Sequence, residues 1–277
     1  MENKMGMQTG ISRQSPNRIE LYCLGTFRLL IDGQDRSHLL SYDKVKLLLA
    51  LLVLAQGQAI ARVKLADMLW PESDPEQGRA RVRHALYVLR QALAPLSKVL
   101  LSSTASLTLE SDTVWSDVLY IGSSTATELD EARNKLSLYQ GPFLEGLKLP
   151  GSDSLMSWHN NWNARLDIEL AQCRHHLIKA LMASEQQQAA LAYAKTWVNL
   201  WPEDESCHRL LIRLLVQDND HDAAMLAYQQ CCDVLQQRLG VQPDAQTRAL
   251  LGTGVNAAPA LHGPSDPEGY HFRAMAT

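Results

Sequence analysis

Between residues 19 and 120 the spacing of apolar positions changes several times, and each change predicts an element. Ile19, Leu21 and Cys23 alternate with Glu20, Tyr22 and Leu24, and Phe27, Leu29 and Ile31 continue the two-residue rhythm of half-buried strands. Asp32-Gly33 then supplies a turn, so the stretch predicts a small sheet of two or more short strands. Residues 43–56 (DKVKLLLALLVLAQ) are almost wholly apolar helix formers, with Asp43 as the expected cap and Gly57 as the stop. A helix apolar on every side belongs at the centre of a small core. A second helix is expected over about 62–69, with Val63, Leu65, Ala66 and Leu69 inward and Trp70-Pro71 closing it. Ser73, Asp74 and Pro75 announce a third, roughly 76–94. Beyond it, LLSSTASLTLESDTVWSDV predicts two short strands around a turn.

From about 128 to 252 the pattern is helical throughout and repeats. Leu177, Ile178 and Leu181 recur 34 positions later as Leu211, Ile212 and Leu215, and Ala189, Ala190 and Leu191 as Ala223, Ala224 and Met225. Thirty-four residues is the period of a tetratricopeptide helix pair, in which small alanines let neighbouring helices approach closely. The expected organisation is a flexible tail over 1–17, a first domain over 18–120, an all-α domain over 121–252, and a disordered, Gly-, Pro- and Ala-rich tail over 253–277.

Charge changes this picture only when it is resolved along the chain. The 277 residues carry a net charge of −4, which by itself argues against nucleic-acid binding. Residues 1–120, however, hold 14 Lys and Arg against 12 Asp and Glu, while residues 121–277 hold 12 against 18. No Asp or Glu occurs between Gln77 and Leu109, a window that carries Arg79, Arg81, Arg83, His84, Arg90 and Lys98.

On a helical wheel Val82, Leu86, Leu89 and Leu93 fall within about 60°, with Ala85 beside them, and form the expected buried stripe. Ala80, His84, Val88 and Gln91 lie opposite, bordered by Arg83 and Tyr87 on one side and Arg81 on the other. Arg79 and Arg90 lie nearer the core margin. Such a helix suits a major-groove reader. Arg can chelate guanine O6 and N7, Gln can pair with adenine, and flanking cations can fix the register on phosphates.

On IELYCLGTFRLLIDG, KVKLLLALLVLAQGQAIARVKLADMLWPE and ARVRHALYVLRQAL, the first domain resembles the OmpR/PhoB-type winged helix of SARP-type bacterial transcriptional activators. The second resembles the bacterial transcriptional activator domain that accompanies it, on LSLYQGPFLEG, Trp158, Arg165-Leu166, AALAYAKTWVNLWPEDESCHRLLIRLL and RLGVQPDAQTRAL. The resemblance implies a mainly α chain, a winged helix-turn-helix followed by a tetratricopeptide-like domain. It also implies a DNA-binding activator that recruits RNA polymerase. In that family the third helix enters the major groove and a C-terminal hairpin, the wing, touches the DNA backbone or minor groove. Carried over by position, the DNA-binding candidates are Arg79, Arg81, Arg83, His84, Tyr87, Val88, Arg90, Gln91 and Lys98, with Ser102, Ser103 and Thr104 in the wing. Two departures stand out. Val88 lies where such helices often carry a polar or basic residue. The wing SSTASLTLESD lacks the usual Gly-aromatic pair and has no basic residue at its tip.

Other chemistry finds no support in the sequence. There is no GxxxxGK[ST], HExxH or GxSxG, and no catalytic residue, cofactor or metal is expected. Cys173, His175 and His176 do not share a helix face, Cys231-Cys232 reads as packing, and the tryptophans read as core. The five cysteines form no CxxC pair and the longest apolar run is too short to span a bilayer, so a cytoplasmic protein is expected. The alternative function is a tetratricopeptide-like adaptor whose winged helix no longer reads DNA. In either case the helical domain is expected to meet a second copy or a protein partner.

Overall fold

The computed structural model describes residues 18–123 and 129–250, so the tails expected over 1–17 and 253–277 lie outside the described residues. The packing divides the chain into two compact units, with the boundary between Gln186 and Gln187.

The first unit opens with β1 (Ile19–Tyr22), β2 (Arg28–Ile31) and β3 (Gln34–Asp35), the last two joined through the left-handed pair Asp32 and Gly33. Next come α1 (Asp43–Leu54), β4 (Ile60–Ala61), α2 (Arg62–Leu69) and α3 (Pro75–Ala92). The strands β5 (Leu100–Ser102), β6 (Ser106–Leu109) and β7 (Val114–Ser116) follow, then α4 (Asp117–Ile121), α5 (Leu129–Leu138) and the 31-residue α6 (Asp153–Ala183). Nine of the twelve α1 residues are buried, as an all-apolar helix requires, and α1 packs on α2, α3 and β6.

Three local expectations are corrected. Asp43 is the first residue of α1 and Tyr42 occupies its cap position without a side-chain bond. Asp43 instead accepts from the Lys148 backbone N–H at 3.2 Å and pairs with Lys46 at 3.8 Å. Val63 is 61% exposed, because α2 buries the face of Leu65, Ala66, Met68 and Leu69, and Val63 in its first turn lies off it. The segment after α3 forms three strands rather than two. β5 and β6 make the hairpin, with β4 on its free edge, while β7 leaves it and pairs in parallel with β1, giving the order β3-β2-β1-β7.

A buried carboxylate fixes this crossing. Asp117 accepts from the backbone N–H of Cys23 (2.9 Å), Leu24 (2.9 Å) and Val118 (2.8 Å), and from the Ser116 hydroxyl (3.3 Å). It thereby ties the end of β1 to the start of α4. Burial pushes its carboxyl up to about 6, outweighing the N–H groups that favour the charged form.

The LSLYQGPFLEG segment docks on the end of β1. Gly25 N–H donates to the Pro142 carbonyl (3.1 Å), Leu144 N–H to Cys23 (2.8 Å), and Leu24 bridges to Phe143. Gly25 has φ +86°, and a Cβ there would lie 2.9 Å from the Gln140 carbonyl carbon, so the approach depends on glycine. Phe143 meets Trp158 (5.6 Å) and stacks on His159 (5.4 Å), and the Arg165 guanidinium donates to the Gly122 carbonyl. The residues shared with the activator domain therefore hold this junction together.

The second unit contains α7 (Gln187–Leu200), α8 (Glu205–Gln217), α9 (His221–Leu239) and α10 (Ala245–Ala249), with α8 packed between α7 and α9. The 34-residue period extends to the turns. Glu185 and Asn219 both take left-handed conformations (φ +57° and +58°). The N–H groups that follow, of Gln186 and Asp220, reach back to the carbonyls of Leu181 (2.9 Å) and Leu215 (3.0 Å). The leucine and isoleucine anchors of both repeats are buried, and Ala190 and Ala224 are fully buried. The closing RLGVQPDAQTRAL is held by Arg209, which donates to Thr247 (2.9 Å) and Gln246 (3.2 Å) and pairs with Asp244 (2.5 Å). The chain is thus mainly α, a winged helix-turn-helix followed by tetratricopeptide-like helix pairs.

Candidate nucleic-acid interface

Helix α3 starts where the sequence places it. The Asp74 side chain caps the N–H groups of Glu76 (3.0 Å) and Gln77 (2.9 Å), and Pro75 fills the first helical turn. Gly78 faces α2, where an added Cβ would meet the Ala66 methyl at 3.1 Å, so the two helices cross closely at that point. Val82, Ala85, Leu86, Leu89, Ala92 and Leu93 are buried. On the outside, Arg79, Arg81, Arg83, His84, Tyr87, Arg90 and Gln91 are exposed, with Tyr87 at 61%, and Val88 is half-buried.

The arginines are not equivalent. Arg81 pairs with Glu72 at 2.6 Å, and Lys44 reaches the same carboxylate at 3.3 Å. Glu72 is held below the ordinary carboxylate range by its own backbone N–H and by these two cations. Among the described residues Arg79, Arg83 and Arg90 pair with no carboxylate, and all three are exposed.

At the hairpin tip the three candidate hydroxyls have different tasks. Ser103 Oγ accepts from Ala105 N–H (3.1 Å) and Ser106 N–H (2.9 Å) and so builds the turn itself. Ser102 Oγ accepts from Arg62 at 2.7 Å, and Thr104 is exposed. Lys98 lies in the short turn Ser97–Val99 just before β5, at the open end of the hairpin and away from the tip. The structure thus spreads the α3 candidates around the exposed side of that helix, with Val88 half-buried, gathers Ser102–Thr104 at one tip, and leaves Lys98 apart from both. Arg62, outside the candidates named from the sequence, opens α2 beside the wing. The basic pair in ARVKLADM was its only signal.

Elsewhere, the described residues contain no cluster of three or more His, Cys, Asp or Glu able to hold a metal ion. Burial, followed by the nearby Glu205 carboxylate, pushes the Cys231 thiol up to about 12, which keeps it protonated and unreactive. No described helix is long and apolar enough to cross a membrane.

Residues 122–252 match the bacterial transcriptional activator domain. The chain is 26% identical over 256 residues to the regulatory protein AfsR of Streptomyces coelicolor, a match covering 86% of the chain and 24% of AfsR. It therefore spans about a quarter of that relative's length. The solved structure of Mycobacterium tuberculosis EmbR in complex with a low-affinity phosphopeptide superposes with a TM-score of 0.63 at 20% identity. That superposition covers 85% of the chain and 64% of EmbR. The activator-domain match and the AfsR likeness agree with the resemblance to SARP-type transcriptional regulators, and the EmbR superposition shows a shared fold.

Proposed function

We propose that the chain binds duplex DNA with α3 in the major groove and activates transcription by bringing RNA polymerase to the promoter. The helical second domain would make the contact with a second copy or a protein partner. One observation carries the DNA reading: α3 presents Arg79, Arg83 and Arg90, unpaired among the described residues, on the exposed side of a helix whose other side is sealed into the core. Exposed guanidiniums on a rigid helix have the geometry that guanine edges and phosphates accept. Two winged helices on neighbouring half-sites would lie about 10–10.5 bp apart.

A mobility-shift titration over salt tests the reading. Phosphate neutralisation gives a linear fall of log affinity with log salt, at about 0.9 per contacted phosphate. The second reading, an adaptor that no longer touches DNA, is favoured by the wing tip, where Ser103 is committed to the turn and no basic residue stands. It predicts no retained duplex at any salt.

A further inference from the structure

Ala80 and His84, on the proposed reading face, also line a groove of about 640 Å³ whose walls include Tyr42, Val45 and Trp70. Lys148, from the activator-domain half of the sequence, lines it too. Its place there is fixed by two bonds. The Lys148 backbone N–H donates to Asp43 at the start of α1 (3.2 Å), and the Ser152 hydroxyl donates to the Met68 carbonyl near the end of α2 (2.9 Å). Ser152 also caps α6, accepting from Leu155 N–H at 3.2 Å, so the segment between Lys148 and α6 is anchored along its length.

The charges around the groove single out this lysine. Glu72 is shared by Lys44 and Arg81, and Asp43 is engaged by Lys46 and by the Lys148 backbone. Lys148 is exposed, and among the described residues its ammonium pairs with no carboxylate. An unneutralised cation is thereby held in the groove that Ala80 and His84 line, and Tyr42, 60% exposed, lies in the same groove. On the DNA-binding reading, a duplex seated on Ala80 and His84 would carry its sugar-phosphate backbone past that groove.

We propose that Lys148 is a DNA-backbone contact contributed by the activator domain, so that the nucleic-acid interface is completed by a residue from outside the winged helix. The inference rests on the DNA-binding reading above and extends it to a second part of the chain. A phosphate contact fixes register and adds affinity without reading sequence.

The test uses the 277-residue chain, a duplex selected by it from a random-sequence pool, and a scrambled duplex of equal length. Losing one phosphate contact predicts a salt slope shallower by about 0.9, and from that slope about fivefold weaker binding at 0.15 M salt. Lys148→Ala is expected to show both changes equally on the two duplexes, and Lys148→Arg to restore them. If Arg83→Ala weakens binding while Lys148→Ala keeps the wild-type affinity and slope, the Lys148 contact is overturned and the DNA-binding reading stands. A loss confined to the selected duplex also overturns it, because a base contact would then be responsible. If the wild-type chain retains no duplex, the DNA-binding reading fails and this contact fails with it.

Discussion

Replacing Asp117 tests how the first unit is held together. Its two carboxylate oxygens accept three backbone N–H groups, from Cys23, Leu24 and Val118, in a site that is fully buried. Asp117→Ala leaves those donors without a partner, at about 1–3 kcal/mol each before relaxation. A total loss of about 3–5 kcal/mol is therefore expected, a large share of a typical domain's stability. Asp117→Asn keeps one acceptor but turns an amide NH₂ toward another donor, and a smaller loss follows.

The pH dependence supplies a sign. Burial raises the folded-state carboxyl from 3.8 to about 6, so the folded chain holds this proton more tightly than the unfolded chain. The group's favourable contribution is complete below about pH 4 and is lost as pH rises to 6, by about 3 kcal/mol at most. Urea unfolding of wild type and Asp117→Asn at pH 4 and pH 7 reads it directly. The wild-type advantage is expected to be larger at pH 4. An advantage larger at pH 7 would mean that the N–H groups, rather than burial, set the titration, and a loss under 1 kcal/mol in Asp117→Ala would refute the structural role.

Three further outcomes are expected. Gly25→Ala combines an unfavourable positive φ with a 2.9 Å approach to Gln140 and is expected to cost about 2 kcal/mol in chemical unfolding; an unchanged midpoint would contradict the docking of β1 on the 142–144 segment. Arg209→Ala removes the residue that holds Asp244, Gln246 and Thr247, so hydrogen exchange at 241–250 is expected to accelerate while α8 and α9 stay protected. Uniform acceleration over the whole second unit would show that Arg209 supports more than the closing motif. Lys148→Ala is expected to weaken binding to selected and scrambled duplexes alike, as set out above.

Much of this architecture is legible in the sequence, because the decisive signals are local. The span of α2 follows from apolar periodicity ended by Trp70-Pro71, and the α3 stripe follows from the spacing of Val82, Leu86, Leu89 and Leu93. The repeat is legible as well, and its turns carry left-handed residues, Glu185 and Asn219, 34 positions apart. What stays hidden depends on distant partners. A three-residue strand such as Val114–Ser116 has no preference that separates a place in the hairpin from one beside β1; Asp117, buried against Cys23 and Leu24, settles it. Nothing local marks Asp43 as a partner of Lys148, 105 residues away, or places Lys148 beside His84. The face of α3 can be drawn on a wheel, but the loss of Arg81 to Glu72 needs the turn between α2 and α3 folded in space.

The central proposal, that α3 reads duplex DNA, is tested most directly by salt titrations of the 277-residue chain, Arg83→Ala and Arg90→Ala on a duplex selected from a random pool. Wild type is expected to show a steep linear loss of log affinity with log salt. Each substitution is expected to weaken binding, by about 1–3 kcal/mol where the arginine reads a base, with relaxed preference at that position. Wild-type affinity and salt slope in both variants would remove α3 from the interface.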